Sequence, residues 1–526
     1  MNVKRFIAAV LSLAIVSGAM PALSNYAPDT AIVASAEEEE YTKVTSGYFT
    51  YRVYSDHAEL DECDTDAEGD IEIPSEVNGV PVTKIIYWAF DYCNKLTSVT
   101  IPASITTLDG FNPFDECESI EAVYVDEDNQ YYTDENGVLF NKDKTMLICH
   151  PACHANTEYT IPDSVKIIGC FSFYGCKKLT SITIPDSVEK IQQAAFKGSA
   201  IQSIVIPASV TTMAREIFLQ CNSLSSATFE NALPCITNRM FSDCQSLTSV
   251  NIPDTVTSIE NEAFKNCKSL ESIVIPDSVE TIGNNAFYNT GIGLLNIPDS
   301  VTSIGDSAFY YCTSLESISI SDSVTRIGKC TFDSCTSLAS INIPDSVTSI
   351  GILAFYNTAF TAITIPESVK SIEEYAFGDC ENLESITILN PECEIYDRCD
   401  TIYNVYLSSD GASYTGTIYG YENSTAQAYA EKYGYTFESL GEAPIPEPVC
   451  GDANENGTVE MADAVLILQS QSNPDKYGVD GTNEDHITAQ GLINADCSGG
   501  GDGVTASDAL AIQKYILKLI PSLPEE

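Results

Sequence analysis

The chain has little of what catalytic sites are usually assembled from. It holds four histidines (His57, His150, His154 and His486) and one tryptophan, Trp88, and neither a G-x-S-x-G nor an H-E-x-x-H pattern occurs. Glycoside cleavage needs a pair of carboxylates flanking the scissile bond, and sugar subsites are commonly lined with aromatic rings. With its single tryptophan in a strand-to-turn segment that reads as core, no such site is legible. Positive charge is also scarce, with 25 Lys and Arg against 75 Asp and Glu and a formal net charge of −50 over 526 residues. A field of that sign repels nucleic acid and anionic membrane surfaces. Long apolar runs are missing as well. The only notable one, Phe6 to Val16, falls far short of the roughly 20 residues that cross a bilayer.

That run follows Lys4 and Arg5 and leads to the small-residue stretch Ala34-Ser35-Ala36, just before the acidic Glu37 to Glu40. The pattern is that of a secretory signal over residues 1–36, which predicts a secreted, extracellular protein with no membrane insertion. Nineteen cysteines in an exported chain would ordinarily suggest disulfides. Their positions argue otherwise.

Between about residue 70 and residue 390 the sequence repeats every 22 or 23 residues, anchored on an Ile-Pro whose prolines include Pro185, Pro207, Pro253, Pro276, Pro298 and Pro344. A fixed period of this size means a solenoid, because one repeat cannot bury its apolar face alone. One unit runs Leu315-Glu316-Ser317-Ile318-Ser319-Ile320, then Val324 and Ile327, then Phe332 and Cys335. The first piece alternates, placing Ile318 and Ile320 inward and Ser317 and Ser319 outward. Val324 and Ile327 mark a second inward segment, and Phe332 with Cys335 closes the coil. The outward positions, such as Ser181/Thr183, Ser203/Val205, Ser249/Asn251, Ser272/Val274, Ser340/Asn342 and Ser385/Thr387, form a small, uncharged ledge.

This pattern, L-x-x-I-x-I-P-x-S-V-x-x-I-x-x-x-A-F-x-x-C, resembles the bacterial surface leucine-rich repeats called BspA-like. The resemblance implies a mostly β solenoid with a general association to adhesion and protein binding. Residues 37–440 are expected to form it, with an N-terminal hairpin cap, an insertion near 126–160 and a C-terminal cap carrying a short helix over 424–433.

Nine cysteines (Cys93, Cys117, Cys176, Cys221, Cys244, Cys267, Cys312, Cys335 and Cys380) occupy one slot of the repeat. Where the repeat shortens, that slot holds Ser199, Thr290 or Thr358, which form no disulfides. The slot therefore asks for small size and a weak donor, and the thiols are expected to be a reduced, buried ladder.

One cluster stands off the pattern: Cys149-His150-Pro151-Ala152-Cys153-His154. Its donors suit zinc, but the spacing is not that of a usual zinc site, and haem attachment needs two residues between the cysteines. A surface loop with a possible local disulfide is expected there.

After a Pro-rich linker over 441–449, the segment 450–526 carries a duplicated loop-helix pattern. An EF-type calcium loop supplies oxygens from positions 1, 3, 5, 7, 9 and 12, with Gly at 6. Here those are Asp452, Asn454, Asn456, the Thr458 carbonyl, Glu460 and Asp463, with Gly457 at the turn. The second copy is degenerate, spanning 13 residues with Asp496, Ser498, Asp502 and Asp508 as its ligands. Each loop opens an amphipathic helix.

The arrangement resembles type I-like dockerin modules of cellulosomes. That likeness implies a small all-α domain folded around two Ca2+ ions, which plugs into a cohesin on a scaffoldin. The family's contact positions fall on Met461, Ala462, Leu468 and Gln469 in the first half and Ala506, Ser507, Gln513 and Lys514 in the second. The combined expectation is a non-catalytic cellulosome component whose repeats bind a protein, cell surface or cell-wall polymer. Because dockerin-bearing proteins are commonly glycan-degrading enzymes, the alternative is a carbohydrate-active enzyme in polysaccharide degradation with an unrecognised site.

Overall fold

The computed structural model describes residues 40–230, 232–407, 411–444, 450–455, 458–479, 481–482, 486–497, 504–518 and 523. The expected signal peptide and most of the linker lie outside that set. The chain divides into two compact units, Met1–Ser439 and Leu440–Glu526.

The first unit is a stack of coils with three walls. Short strands of the first wall pair in parallel with their counterparts one coil on, as Ser317 to Ser340, Ile318 to Ile341 and Ser319 to Asn342. The alternation read from sequence is obeyed: Ile318 is buried while Ser317 and Ser319 are exposed. Ladders lapse at Glu271–Pro276, where Ser272 and Val274 lie on a non-strand segment. Two-residue strands make the second wall, for example Ser258–Ile259 on Thr281–Ile282, and aim Ile259 and Ile282 into the core.

The third wall is built from turns. Its inward phenylalanines form a continuous column in which Phe173, Phe196, Phe218, Phe241, Phe264 and Phe287 stack at 5.1 to 5.5 Å between ring centroids. The column continues through Phe309, Phe332, Phe355 and Phe377 at 5.4 to 5.6 Å. Burying such rings stabilises by about 1.5–3 kcal/mol each, which is why the Phe recurs in every coil.

Two positions per turn, one two residues before the Phe and one two after, have positive φ: Glu216 and Gln220 at 63° around Phe218, Arg239 at 55° and Asp243 at 62° around Phe241. A non-glycine residue there costs about 1–2 kcal/mol. Intercoil hydrogen bonds offset that cost. Glu216, Phe218 and Gln220 donate their N–H groups to the carbonyls of Asn238, Met240 and Ser242 in the next coil at 3.0, 2.9 and 2.8 Å. Arg239, Phe241 and Asp243 repeat this onto Asn261, Ala263 and Lys265. All these donors point toward the C-terminal end, so the peptide dipoles of this wall add, whereas those of β-sheets largely cancel.

The N-terminal cap is a hairpin pair, Thr42–Ser46 on Phe49–Val53 on Ala58–Cys63, antiparallel, with Phe49 and Tyr51 buried. The insertion forms two hairpins, Tyr132–Glu135 with Val138–Asn141 and the latter with Met146–Cys149. Alternation along these strands separates two cores. Val138, Phe140 and Leu147 join the long C-terminal core, while Leu139, Ile148 and Cys149 join the N-terminal one. The C-terminal cap carries the helix Thr425–Tyr433, whose first turn is closed by Ser424 Oγ accepting from the Gln427 N–H at 3.2 Å. Gly434, at φ 72°, ends it.

Two expectations need correction. Trp88 is not core: it is 46% exposed with φ 71°, because it occupies the outward, left-handed position of its turn. Nor is 149–154 a surface loop, since Cys149 and His150 are buried between the coils that flank the insertion. The His150 ring stacks on Phe173 at 5.2 Å and lies 4.9 Å from Tyr159, and its Nδ1 sits 3.4 Å from Cys176 Sγ. All nineteen cysteines, Cys149 and Cys153 among them, are present as thiols.

Candidate functional site

The second unit holds the residues with the clearest ligand chemistry. Its core joins Ala464, Leu466 and Ile467 of the helix Met461–Ser472 to Ala509, Ala511 and Ile512 of the helix Ala506–Ile516, with Ile487, Ala495 and Cys497 between them. Apolar residues three and four apart make that packing possible.

Both helices begin in the same way. The Asp463 side chain is fully buried and accepts from the Asn454 N–H at 3.0 Å and the Glu460 N–H at 2.7 Å. Asp508, equally buried, accepts from the Cys497 N–H at 2.8 Å and the Thr505 N–H at 2.7 Å. Each loop-closing carboxylate thus ties the start of its loop to the first turn of its helix, a capping box in each copy. Burial holds the Asp463 carboxyl above its ordinary value, against the pull of its backbone donors.

Asp452 is buried, and its carbonyl accepts from Asn494 Nδ2 at 2.9 Å. Gly451 has φ 97°, a left-handed conformation that favours glycine at the entry to the first loop. Thr458 and Glu460 are exposed. In the second loop Asp496 carries a buried Oδ1 without a hydrogen-bond partner among the described residues. Asn456, Gly457, Ser498 and Asp502 lie outside the described residues.

Buried carboxylates and an orphaned carboxylate oxygen are costly unless a cation compensates them, so the donor set fits calcium, a hard cation that takes oxygen ligands. Among the described residues no three His, Cys, Asp or Glu side chains converge as a metal-binding group, either here or around Cys149 and His154.

The expected contact residues divide by face. Met461, Ala462 and Leu468 are exposed and Gln469 half-buried on the first helix; Ala506 and Ser507 are exposed and Gln513 and Lys514 half-buried on the second. Two further residues complete these faces. Val465, 45% exposed, lies between Met461 and Leu468, and Leu510, 52% exposed, between Ala506 and Gln513. Their signal was the i+4 step from the exposed residue before each.

The first unit offers two other surfaces. Its strand wall is the small ledge expected, interrupted by the exposed Val205, Val274 and Leu294. A groove of about 390 Å³ is lined by Asp115, Glu118, Lys177, Gln220, Asn222 and Asp243. Among the described residues no helix is long and apolar enough to cross a membrane.

Comparison with known proteins identifies the first unit. The BspA type Leucine rich repeat region matches over residues 69–140, 149–271, 235–359 and 302–404. The chain belongs to that family, and its repeats form a mostly β solenoid. A leucine-rich repeat protein from Bacteroides ovatus is similar at 25% identity and TM-score 0.48, covering 76% of this chain and 99% of that one.

A xylanase/beta-glucanase of Ruminococcus flavefaciens is 48% identical over 75 residues, 14% of this chain. The chain spans only 9% of that relative's length. A chain in the complex of R. flavefaciens' third ScaB cohesin with a group 1 dockerin is 56% identical, with TM-score 0.14, covering 14% of this chain and 95% of that one.

Proposed function

We propose that this protein is an exported, non-catalytic component of a cohesin-based assembly. Residues 450–526 act as a calcium-dependent dockerin, and the solenoid of residues 37–440 presents a binding surface. The observation that carries the reading is the duplicated geometry of Asp463 and Asp508, each buried at the head of a helix that exposes an apolar face. Asp452, Asn454, Asn456, Thr458, Glu460 and Asp463 would hold one Ca2+, and Asp496, Ser498, Asp502 and Asp508 a second.

Calcium supplies the charge that buried carboxylates need, so binding contributes directly to folding of the tail. Short identity to a glycanase from Ruminococcus is consistent with an attachment module carried on otherwise unrelated proteins. No catalytic role is proposed for the solenoid, whose family is a repeat family. The test is binding of the full chain to a cohesin panel with calcium and with chelator. Calcium-dependent capture by at least one cohesin is expected, and equal binding in both conditions, or none across a panel from a Ruminococcus scaffoldin, defeats the reading.

A further inference from the structure

We propose that the turn wall of the first coils, centred on Trp88 and Phe111, binds an uncharged polysaccharide chain. This deepens the reading that the solenoid is the ligand-binding part and does not depend on the tail.

Five rings run along that wall in an unbroken sequence: Trp88 to Tyr87 at 4.6 Å, Tyr87 to Phe111 at 5.2 Å, Phe111 to Phe171 at 6.0 Å and Phe171 to Tyr174 at 6.2 Å between centroids. Trp88, Tyr92 and Phe111 are 46%, 45% and 37% exposed. Trp88 and Tyr92 sit at φ 71° and 62°; later coils fill the slot of Trp88 with residues such as Glu216, Arg239 and Asn285, and that of Tyr92 with Asn266, Asn289 and Asn357. An aromatic there bears the backbone cost while contributing only part of its area to the core.

The row ends at the groove, which Tyr174 and Asp115 both line. Neighbouring rings are inclined to one another by 40 to 82°, so the exposed Trp88 and Phe111 would each cover the apolar C–H face of a separate pyranose, while the carboxylates and amides of Asp115, Glu118, Gln220, Asn222 and Asp243 take up hydroxyl edges. Burial, reinforced by Glu116, pushes the Asp115 carboxyl up to about 7. Near neutral pH it can therefore both donate to and accept from a hydroxyl. The ligand is uncharged because the wall is acidic in a chain of net charge −50, which disfavours a polyanion. The opposite ledge of Ser and Thr residues has no aromatic row to offer a sugar ring.

The test uses the full chain with EDTA present, which removes any calcium-dependent binding by the tail. Affinity electrophoresis in gels containing xylan, mixed-linkage β-glucan or glucomannan should retard the protein in at least one of them. Trp88→Asn with Phe111→Ala should weaken that retardation at least tenfold, and Tyr92→Asn less. Ser317→Ala, on the strand wall, should leave it unchanged. Thermal melting of each variant separates loss of the site from loss of fold, and Tyr92→Asn keeps a residue type that the slot already accepts. Absence of retardation in all three gels, retardation indifferent to the folded variants, or retardation seen only with calcium overturns the proposal. So does a Trp88-dependent complex with a peptide but none with a polysaccharide. Cohesin capture tests the tail separately, so either reading can fail alone.

Discussion

The Cys221 thiol donates to the carbonyl of Phe196, one coil earlier, with Sγ 3.0 Å from the oxygen. The bond recurs as Cys244 to Phe218, Cys267 to Phe241, Cys312 to Phe287, Cys335 to Phe309 and Cys380 to Phe355, all at 3.0 to 3.2 Å. Each thiol therefore satisfies the carbonyl of the phenylalanine that closes the coil before it. Ser199, Thr290 and Thr358 extend the column at 3.3 to 3.5 Å from the next thiol.

From this follows a prediction about reactivity. Burial pushes Cys221 up to about 12, and Cys312 and Cys380 to about 11, so little thiolate exists at pH 8. Alkylation of the native protein should spare the ladder cysteines, and all should react in guanidinium. Peptide mapping that found these residues paired as disulfides would falsify the ladder.

A second prediction concerns acid stability. Burial holds His150 down at about 3, with His154 adding to the effect, against an unfolded value near 6.5. The folded state thus resists a proton that the unfolded state accepts. Stability from this residue is fully present above pH 6.5 and is lost progressively as pH falls toward 3. Because the ring lies among Phe173 and Tyr159, His150→Phe should fold and should flatten the fall in melting temperature between pH 7 and pH 4.5. An unchanged slope would show that other groups set the acid limit.

How far the sequence carried depended on what the repeat period encodes. Strand alternation around Ile318 and the column slot of Cys335 were legible because each depends on side-chain type at a fixed position. The left-handed turn positions were not, since residues as different as Trp88, Arg239 and Asn266 occupy them; the intercoil hydrogen bonds, which are backbone properties, decide the conformation there. Trp88 was misplaced for that reason. His150 was misplaced because its burial comes from Tyr159, Phe173 and Cys176 in the coil after the insertion, a packing that the period does not describe. In the tail, loop spacing pointed to the residues that Asp463 and Asp508 organise, but Val465 and Leu510 emerged only once the helix faces were defined.

Metal removal gives a third prediction. Asp463 and Asp508 are buried with two backbone N–H donors each, and on the proposed reading a bound Ca2+ would supply the charge that these donors only partly offset. Calorimetry of the full chain should show a separate low-temperature transition that rises with calcium and falls with EDTA, while the solenoid transition stays in place. Asp463→Ala removes both a proposed Ca2+ ligand and the acceptor for the Asn454 and Glu460 N–H groups, so it should lower the tail transition more than Asn454→Ala does. Equal melting with and without calcium would count against the site.

The two faces proposed for docking differ in a way that predicts a preferred orientation. Met461, Val465 and Leu468 make an exposed apolar line along the first helix, whereas the corresponding positions on the second are Ala506, Leu510 and Gln513, with Lys514 in the place of Gln469. A half-turn about the axis relating the two helices would present Gln513 and Lys514 where Leu468 and Gln469 had been. On a cohesin patch shaped for Leu468, Gln513 would lose hydration without gaining a partner, and Lys514 would bring a charge to the place of the neutral Gln469. A difference of about 1.4 kcal/mol suffices to make one mode tenfold preferred. Met461→Gln with Leu468→Lys should therefore weaken the true cohesin by at least that factor, and Gln513→Leu with Lys514→Gln should change its affinity much less. If the two double variants weaken the same cohesin equally, both orientations are in use and the asymmetry of the faces is without consequence for docking.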